Sequence, residues 1–303
     1  MIKLSVLVPG VHISYSMMNV AKQCWKKYDW KYNVGIEPID QGSALKLGGI
    51  IHDAFYMYYT RVGKDLHVND IPLFIEDKFA EELSRVEQSE IEELQIMKAI
   101  CQGMWSAYPK DLKDFQSILP EHPFSLDFNG MSIEGRLDGL VQKDGKWWVR
   151  ETKTTSLAQR QFKERVTISD QATLYYWAAR KLGFPVEGIM YDALHKPLLR
   201  KSQKEDANGF GLRIRLDYQQ RPEHYFTREY VYRTELDIKM FEEDLLAFQK
   251  DLIQKDKEGG YYRNQNSCMS FNSACPYLKI CFTEKPDPLL LQLFFKPRKK
   301  QGE

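Results

Sequence analysis

Two carboxylates and one lysine form the strongest chemical pattern in this sequence. From Met131 to Gln142 the side chains alternate: Met131, Ile133, Leu137 and Val141 make an apolar row, while Glu134, Arg136 and Asp138 point the other way. From Lys146 to Lys153 the alternation recurs through Trp147, Val149, Glu151 and Lys153, which sets Glu151 and Lys153 on one face. The Asp144-Gly145 dipeptide between the segments is a hairpin signal, so Asp138 is expected to face the same polar cleft as the second acid and the lysine. A hard divalent cation takes one or two carboxylates from a protein and fills its other positions with water and phosphate oxygens. Asp138 and Glu151 would supply that half-shell. The cation would acidify a bound water and neutralise a scissile phosphate, and the Lys153 ammonium would position or deprotonate the nucleophile. The plainer reading is a solvated Glu151–Lys153 pair with Asp138 in a turn, because E-x-K is a common string and exposed ion pairs contribute little.

Three further places hold residues capable of chemistry. His52 lies beside the helical stripe Leu47, Ile51, Ala54, Phe55 and Tyr58, where a satisfied core histidine would also sit. Gln171 and Tyr175 are one helical turn apart, on the face that carries Ser169 at the start of that helix; packing is the competing account for Tyr175. Of five cysteines, Cys268, Cys275 and Cys281 crowd together near the C-terminus, and metal ligation is expected ahead of disulfides. Cys101, between Ile100 and Met104, reads as a buried apolar thiol.

The elements that must position these groups are legible in outline. Ser14 or Ser16 caps a short helix carrying Met17, Met18, Val20 and Ala21, with Cys24 near its end. A second helix runs from Leu45 to Tyr59, and Pro72 to Lys113 reads as two or three amphipathic helices. Strands follow from Phe124 to Phe128, from Met131 and from Lys146, with turns at Asn129-Gly130 and Asp144-Gly145. Ser169 caps a helix that ends before Gly183 and Pro185, and a strand runs from Gly188 to Leu194. The last long helix, Thr234 to Lys257, buries Phe241, Leu245, Phe248 and Leu252 and stops at Gly259-Gly260. No internal repeat and no phosphate-binding G-x-x-x-x-G-K-[ST] string occurs, so no ATP-driven motor is expected.

Composition bounds the answer. The 303 residues include 43 Lys plus Arg against 42 Asp plus Glu, so nucleic-acid binding must use a local basic groove instead of bulk charge. The richest late apolar run, Leu289 to Phe295, is short and broken by Gln292, and no membrane span is expected. The opening residues run into Pro9, His12 and Ser14 without a sustained apolar core or a small-residue cleavage site, which leads us to expect a cytoplasmic protein. We expect one domain over 1–303 with a helical insertion at 64–118 and a tail at 289–303.

The order of the motifs resembles that of the PD-(D/E)XK nuclease superfamily, in particular its RecB-like and Cas4-like exonuclease branch. Gly48-x-x-x-His52 precedes Gly135-Arg136-Leu137-Asp138, then Glu151-Thr152-Lys153-Thr154, then Gln171-x-x-x-Tyr175, and the likeness spans most of the chain. The family's proline is missing, since Leu137 precedes Asp138, and the second acid is Glu where many RecB-like members have Asp. The resemblance implies an α/β fold with a restriction-endonuclease-like core, a mixed central sheet flanked by helices. It implies Asp138, Glu151 and Lys153 as catalytic residues, and His52, Asp138, Glu151 and the Thr152 backbone carbonyl as ligands of Mg2+ or Mn2+. A nitrogen donor would tilt that site toward Mn2+. Glu121, placed upstream of the first core strand, is a weaker ligand candidate, and Arg136, Gln171 and Tyr175 are the implied DNA contacts.

Cas4-like and AddB-like nucleases gather one N-terminal and three C-terminal cysteines around a 4Fe-4S cluster. Cys24, Cys268, Cys275 and Cys281 match that distribution, and the cluster would clasp the N- and C-terminal parts of the domain. The spacing is six residues and then five, so the family's C-x-x-C is lost. Zn2+ at the same cysteines is the competing occupant. Lys22, Lys26, Lys27 and Lys31 interleave with Trp25, Tyr28 and Trp30, which would suit a groove that follows phosphates and stacks bases, or equally a packed helix with a solvated face. Lys296, Arg298, Lys299 and Lys300 could anchor phosphates in the tail. The implied function is a metal-dependent DNA exonuclease of replication, recombination or repair, working in host cytoplasm if phage-encoded. DNA is its partner, with a recombinase, helicase or single-strand-binding protein as protein partners. The two other readings are a catalytically inactive DNA-binding or assembly subunit and a zinc-stabilised RNA nuclease.

Overall fold

The structure is a computed structural model and describes residues 12–40, 42–60, 70–111, 114–270, 273–283 and 285–298. Pro9, the start of the expected insertion at 64–69, its residues 112–113, and Lys299 and Lys300 of the tail lie outside them. The first elements are β1 (His12–Ser14), α1 (Tyr15–Gln23), α2 (Trp25–Tyr28), β2 (Ile36–Pro38), α3 (Ser43–Thr60), α4 (Asp70–Leu83) and α5 (Ile91–Ala107). Then come β3 (Phe115–Phe128), β4 (Met131–Lys143), β5 (Lys146–Thr155), α6 (Gln159–Thr167), α7 (Asp170–Lys181) and β6 (Val186–His195). The chain continues through α8 (Ala207–Gln220), α9 (Pro222–Tyr225), β7 (Phe226–Val231) and α10 (Glu235–Glu258). It ends in β8 (Met269–Ser270), β9 (Ser273–Ala274), α11 (Leu278–Cys281), α12 (Pro288–Phe294) and β10 (Phe295–Pro297).

These elements group into two compact units. One comprises Gly42–Phe124 and Arg136–Ile238, the other Met1–Gln41, Ser125–Gly135 and Lys239–Glu303. In the first, β5 lies between β4, antiparallel with Gly139 opposite Arg150, and β6, parallel with Glu151 opposite Tyr191. β7 then pairs antiparallel with β6. The sheet is mixed and flanked by helices, as the restriction-endonuclease-like expectation required. The hairpins turn where expected, the second in this unit and the first in the other: Asn129 and Gly130 have φ of 52° and 79°, and Asp144 and Gly145 have φ of 52° and 75°. Two successive left-handed residues match the twist of the flanking strands. On the helical side Ile51, Phe55, Ile75, Phe79, Met104 and Ile214 share one core, so α4 and α5, which fall in the expected insertion, pack with α3.

In the second unit, β1 runs parallel to the first residues of β4, with Ile13 opposite Ile133. Ser14 caps α1 by accepting the Met17 N–H at 3.3 Å. Phe241, Leu245, Phe248 and Leu252 of α10 are buried as expected. Trp25 stacks on Phe248 with ring centroids 5.8 Å apart, and Trp25 and Tyr28 are both buried. Of the two readings of this stretch, base stacking and helix packing, Trp25 and Tyr28 follow the second: they are core side chains. Lys26, which would have tracked phosphates, pairs with Asp29 at 2.7 Å and lies over Trp30.

The structure departs from the sequence reading elsewhere too. β3 begins at Phe115, so Glu121 lies within the first core strand instead of upstream of it. The two prolines at 120 and 123 bracket it, and its φ of 47° marks a local kink. The elements α6, α8, α9 and β7 were not anticipated. Among the described residues no helix is long and apolar enough to cross a membrane.

Candidate functional site

The unit that holds β5 also brings the candidate acids together. Glu151 lies on a strand paired on both sides and is 1% exposed. Its Oε1 accepts from Lys153 Nζ at 2.5 Å and from Gln171 Nε2 at 2.9 Å. Its Oε2 is buried with no hydrogen-bond partner. A buried carboxylate oxygen without a donor is costly unless a cation compensates it. Burial lifts the Glu151 carboxyl well above the usual carboxylate range; Asp138 adds to the lift, and Lys153 and Arg150 oppose it. For Lys153, burial works against the ammonium, but Glu151 and then Asp138 outweigh it and hold its pKa above the ordinary lysine value.

Asp138 is fixed from the neighbouring strand. Its Oδ2 accepts the Thr152 N–H at 2.9 Å and lies 3.4 Å from His52 Nδ1. His52 reaches this point because α3 packs close to β5: a Cβ at Gly48, one turn earlier, would stand 3.7 Å from Thr154 Oγ1. Glu121 joins the group through the kink in β3. Its carboxyl is raised by burial first and by Asp138 second, with Arg136 and His52 opposing, and it pairs with Arg136 at 3.3 Å. The Arg136 side chain is otherwise mostly exposed.

Gln171 and Tyr175 extend from α7, which Ser169 caps by accepting the Ala172 N–H at 3.3 Å. Gln171 Nε2 also donates to Tyr175 Oη at 3.1 Å, so the amide ties α7 to Glu151. Three carboxyls, one imidazole and one ammonium thus interact directly or through space. The two carboxyls driven upward, Glu151 and Glu121, are both raised in part by Asp138, so the donor set of hard oxygens with one nitrogen suits a divalent cation. Even so, among the described residues no three or more His, Cys, Asp or Glu side chains are gathered tightly enough to hold a metal ion.

Sequence reading passed over Arg150. It is 2% exposed on the face of β5 opposite Glu151, and its NH1 donates to Thr152 Oγ1 at 2.7 Å. The one available signal was a charged residue inside an otherwise apolar strand. A cavity of about 600 Å3 follows the carboxyl ends of β5 and β6, lined among others by Ser156, Gln161, Lys196, Arg221 and His224. Another, of about 670 Å3 between α3 and α4, carries Asp53, Asp70 and Asp77 and suits a polyanion poorly.

The cysteines belong to the other unit. Cys24 occupies the break between α1 and α2, and its Sγ accepts the Asn264 N–H at 3.3 Å. The Cys275 N–H donates to the Cys268 carbonyl at 2.8 Å, and Arg263 Nε donates to the Cys281 carbonyl at 2.8 Å. Burial is the main cause that raises the Cys275 and Cys281 thiols, and Cys24 and Cys268 raise both further. Lys27 acts against the shift at Cys275 and Arg263 against that at Cys281. The N–H aimed at Cys24 Sγ suits a sulfur acceptor, although among the described residues these sulfurs are not closed into a metal-holding group either. Cys101, in the β5 unit, is fully buried with its pKa pushed up to about 12 by burial, which leaves it inert.

Comparison with protein families finds a match over residues 12–282 to the family described as the PD-(D/E)XK nuclease superfamily. No curated protein matches the chain.

Proposed function

The chain belongs to the PD-(D/E)XK nuclease superfamily of metal-dependent nucleases, and from that premise we propose that it is a DNA exonuclease of the RecB-like and Cas4-like kind, acting in replication, recombination or repair. His52, Asp138, Glu151 and the Thr152 carbonyl would hold Mg2+ or Mn2+, with Glu121 as a further carboxylate. When bound, the cation supplies activation of water and neutralisation of charge at the scissile phosphate. The chain's own groups do the rest. Gln171 and Lys153 pin Glu151 Oε1 and leave Oε2 free to face a cation. The Thr152 N–H pins Asp138 Oδ2. Lys153, with its pKa raised, stays an ammonium and acts as a positive charge beside the phosphate instead of removing a proton. Arg136, exposed at the edge of the site, and the cavity bearing Lys196 and Arg221 offer the strand cationic contacts.

The single observation that carries this reading is the buried, unpartnered Glu151 Oε2 in the neighbourhood of Asp138. Its test is cleavage of DNA in Mn2+, abolished in Lys153→Ala while DNA binding is kept. DNA binding without cleavage by the wild type would identify an idle subunit, and a parallel digest that favours RNA would identify a ribonuclease. Cys24, Cys268, Cys275 and Cys281 would hold the 4Fe-4S cluster. The N–H donated to Cys24 Sγ supports that assignment, and brown protein on purification is the expected result. Colourless protein with stoichiometric Zn2+ would replace the cluster with zinc and leave the nuclease reading untouched.

A further inference from the structure

Arg150 is an expensive residue where it stands. Its guanidinium lies 3.7 Å over the Tyr59 ring, NH1 donates to Thr152 Oγ1 at 2.7 Å, and NH2 donates to the Asp138 carbonyl at 3.4 Å. All three direct partners are neutral, and its Nε is buried without any partner. Asp192 acts on it through space but takes its hydrogen bonds from other donors. Asp192 is already held by Arg228, at 2.6 and 3.2 Å, and by the Tyr108 hydroxyl at 3.0 Å. Arg228 also donates to Asp111 at 2.5 Å. Burial works against the guanidinium, and Tyr59, Tyr108 and the Asp192 and Asp138 carboxylates offset it through space and keep it charged, whereas an apolar side chain of the same size would need no such compensation. The opposite strand nevertheless makes room for it: Gly139 faces Arg150, and a Cβ there would come within 3.3 Å of Nε.

What the guanidinium joins explains the expense. Its fork spans the backbone of Asp138 on β4 and the side chain of Thr152 on β5. Thr152 is also the residue whose N–H holds Asp138 Oδ2, and its neighbours are Glu151 and Lys153. One rigid planar group thus ties together the two strand segments that carry the acids, from the face of the sheet opposite Glu151 and Lys153. We propose that Arg150 is the positioning residue of the site, locking Asp138 and the Thr152 peptide in register with Glu151 so that all three present to one cation. This rests on the metal-dependent nuclease reading above.

Arg150→Met in the full chain tests it, read by cleavage kinetics, by Mn2+ binding followed by electron paramagnetic resonance, and by thermal melting. The expected result is a folded protein with kcat lower by about 10²-fold, the size a misplacement of about 1 Å can produce. KM for DNA should stay near wild type, and Mn2+ binding should weaken at least about tenfold. Thr152→Val should move kcat the same way, and adding it to Arg150→Met should cost nothing more, because both remove one contact. A folded Arg150→Met with wild-type kcat and Mn2+ affinity overturns the proposal, as does full additivity in the cycle. Where Arg150→Met fails to fold, Gly139→Ala, which crowds the guanidinium without removing it, decides by the same readouts. If the wild type binds Mn2+ yet cuts no nucleic acid, the nuclease reading falls, and Mn2+ binding still judges Arg150: weaker binding in the variant supports its role and equal binding overturns it.

Discussion

Glu151 and Cys24 are both buried, and each accepts a hydrogen bond from a residue distant in sequence or on another element, yet they are held by different means. Glu151 sits in β5 opposite Tyr191 of β6, one residue beyond the β4 ladder that ends at Arg150, and its carboxyl takes two donors. Cys24 sits in a break between two short helices, and its prospective partners lie in a turn, beside a two-residue strand and at the end of the four-residue α11. A strand ladder fixes the direction of its side chains before any ligand arrives. Short helices and turns do not, so on the proposed cluster reading part of the order of the cysteine region would come from what the sulfurs bind. The acid site is built by the sheet, whereas the proposed cysteine site would be built in part by its occupant.

The comparison is broken most forcefully at the sheet. Asp138→Asn keeps the shape and removes one negative donor, and Mn2+-dependent cleavage should fall by about 10³-fold while the melting temperature and any visible colour stay near wild type. A comparable loss of colour would show the two sites to be coupled. Next in size, Cys24→Ser should bleach the protein and lower its melting temperature by on the order of 10 °C, because metal-binding free energy in such a region is folding free energy. Hydrogen exchange should then quicken around α1, α2 and residues 264–270 and 273–282 and remain slow in β5. Gln171→Ala removes one of the two donors to Glu151 Oε1, and kcat should fall by about tenfold, equivalent to about 1.4 kcal/mol.

The smallest effect is on pH dependence. Glu151 has its folded pKa raised, so its contribution to stability is complete below the ordinary carboxylate range and is lost as the pH rises through the raised value. Chelator-treated wild type should therefore melt at progressively lower temperature as the pH climbs from the usual carboxylate range upward. Glu151→Gln should flatten that slope, and an unchanged slope would remove Glu151 as its cause.

Much of this frame was legible because local chemistry and tertiary structure agree. Asn129-Gly130 and Asp144-Gly145 adopt the left-handed pairs that their residue types favour, Ser14 and Ser169 cap the helices they precede, and the stripe of α10 is buried. The first half of β3 was hidden by Pro120 and Pro123, which argue for a loop, and with it the true place of Glu121. The helix α8 is interrupted in composition by Gly209 and Gly211, and β7 is a short strand with charged residues at its centre. Both owe their form to what they pack against. In the site, alternation placed Glu151 and Lys153 on one face, but the same alternation assigns Arg150 only to the opposite face. That Arg150 reaches back to the Asp138 carbonyl depends on cross-strand register and on the space left by Gly139, neither of which a linear pattern carries.

The most direct measurement of the central claim is the digestion of end-labelled DNA by the wild type and by Glu151→Gln across a series of Mn2+ concentrations. The account predicts label released progressively from an end by the wild type, in proportion to bound Mn2+, and no release above background by the variant. Equal cleavage by both proteins would contradict it.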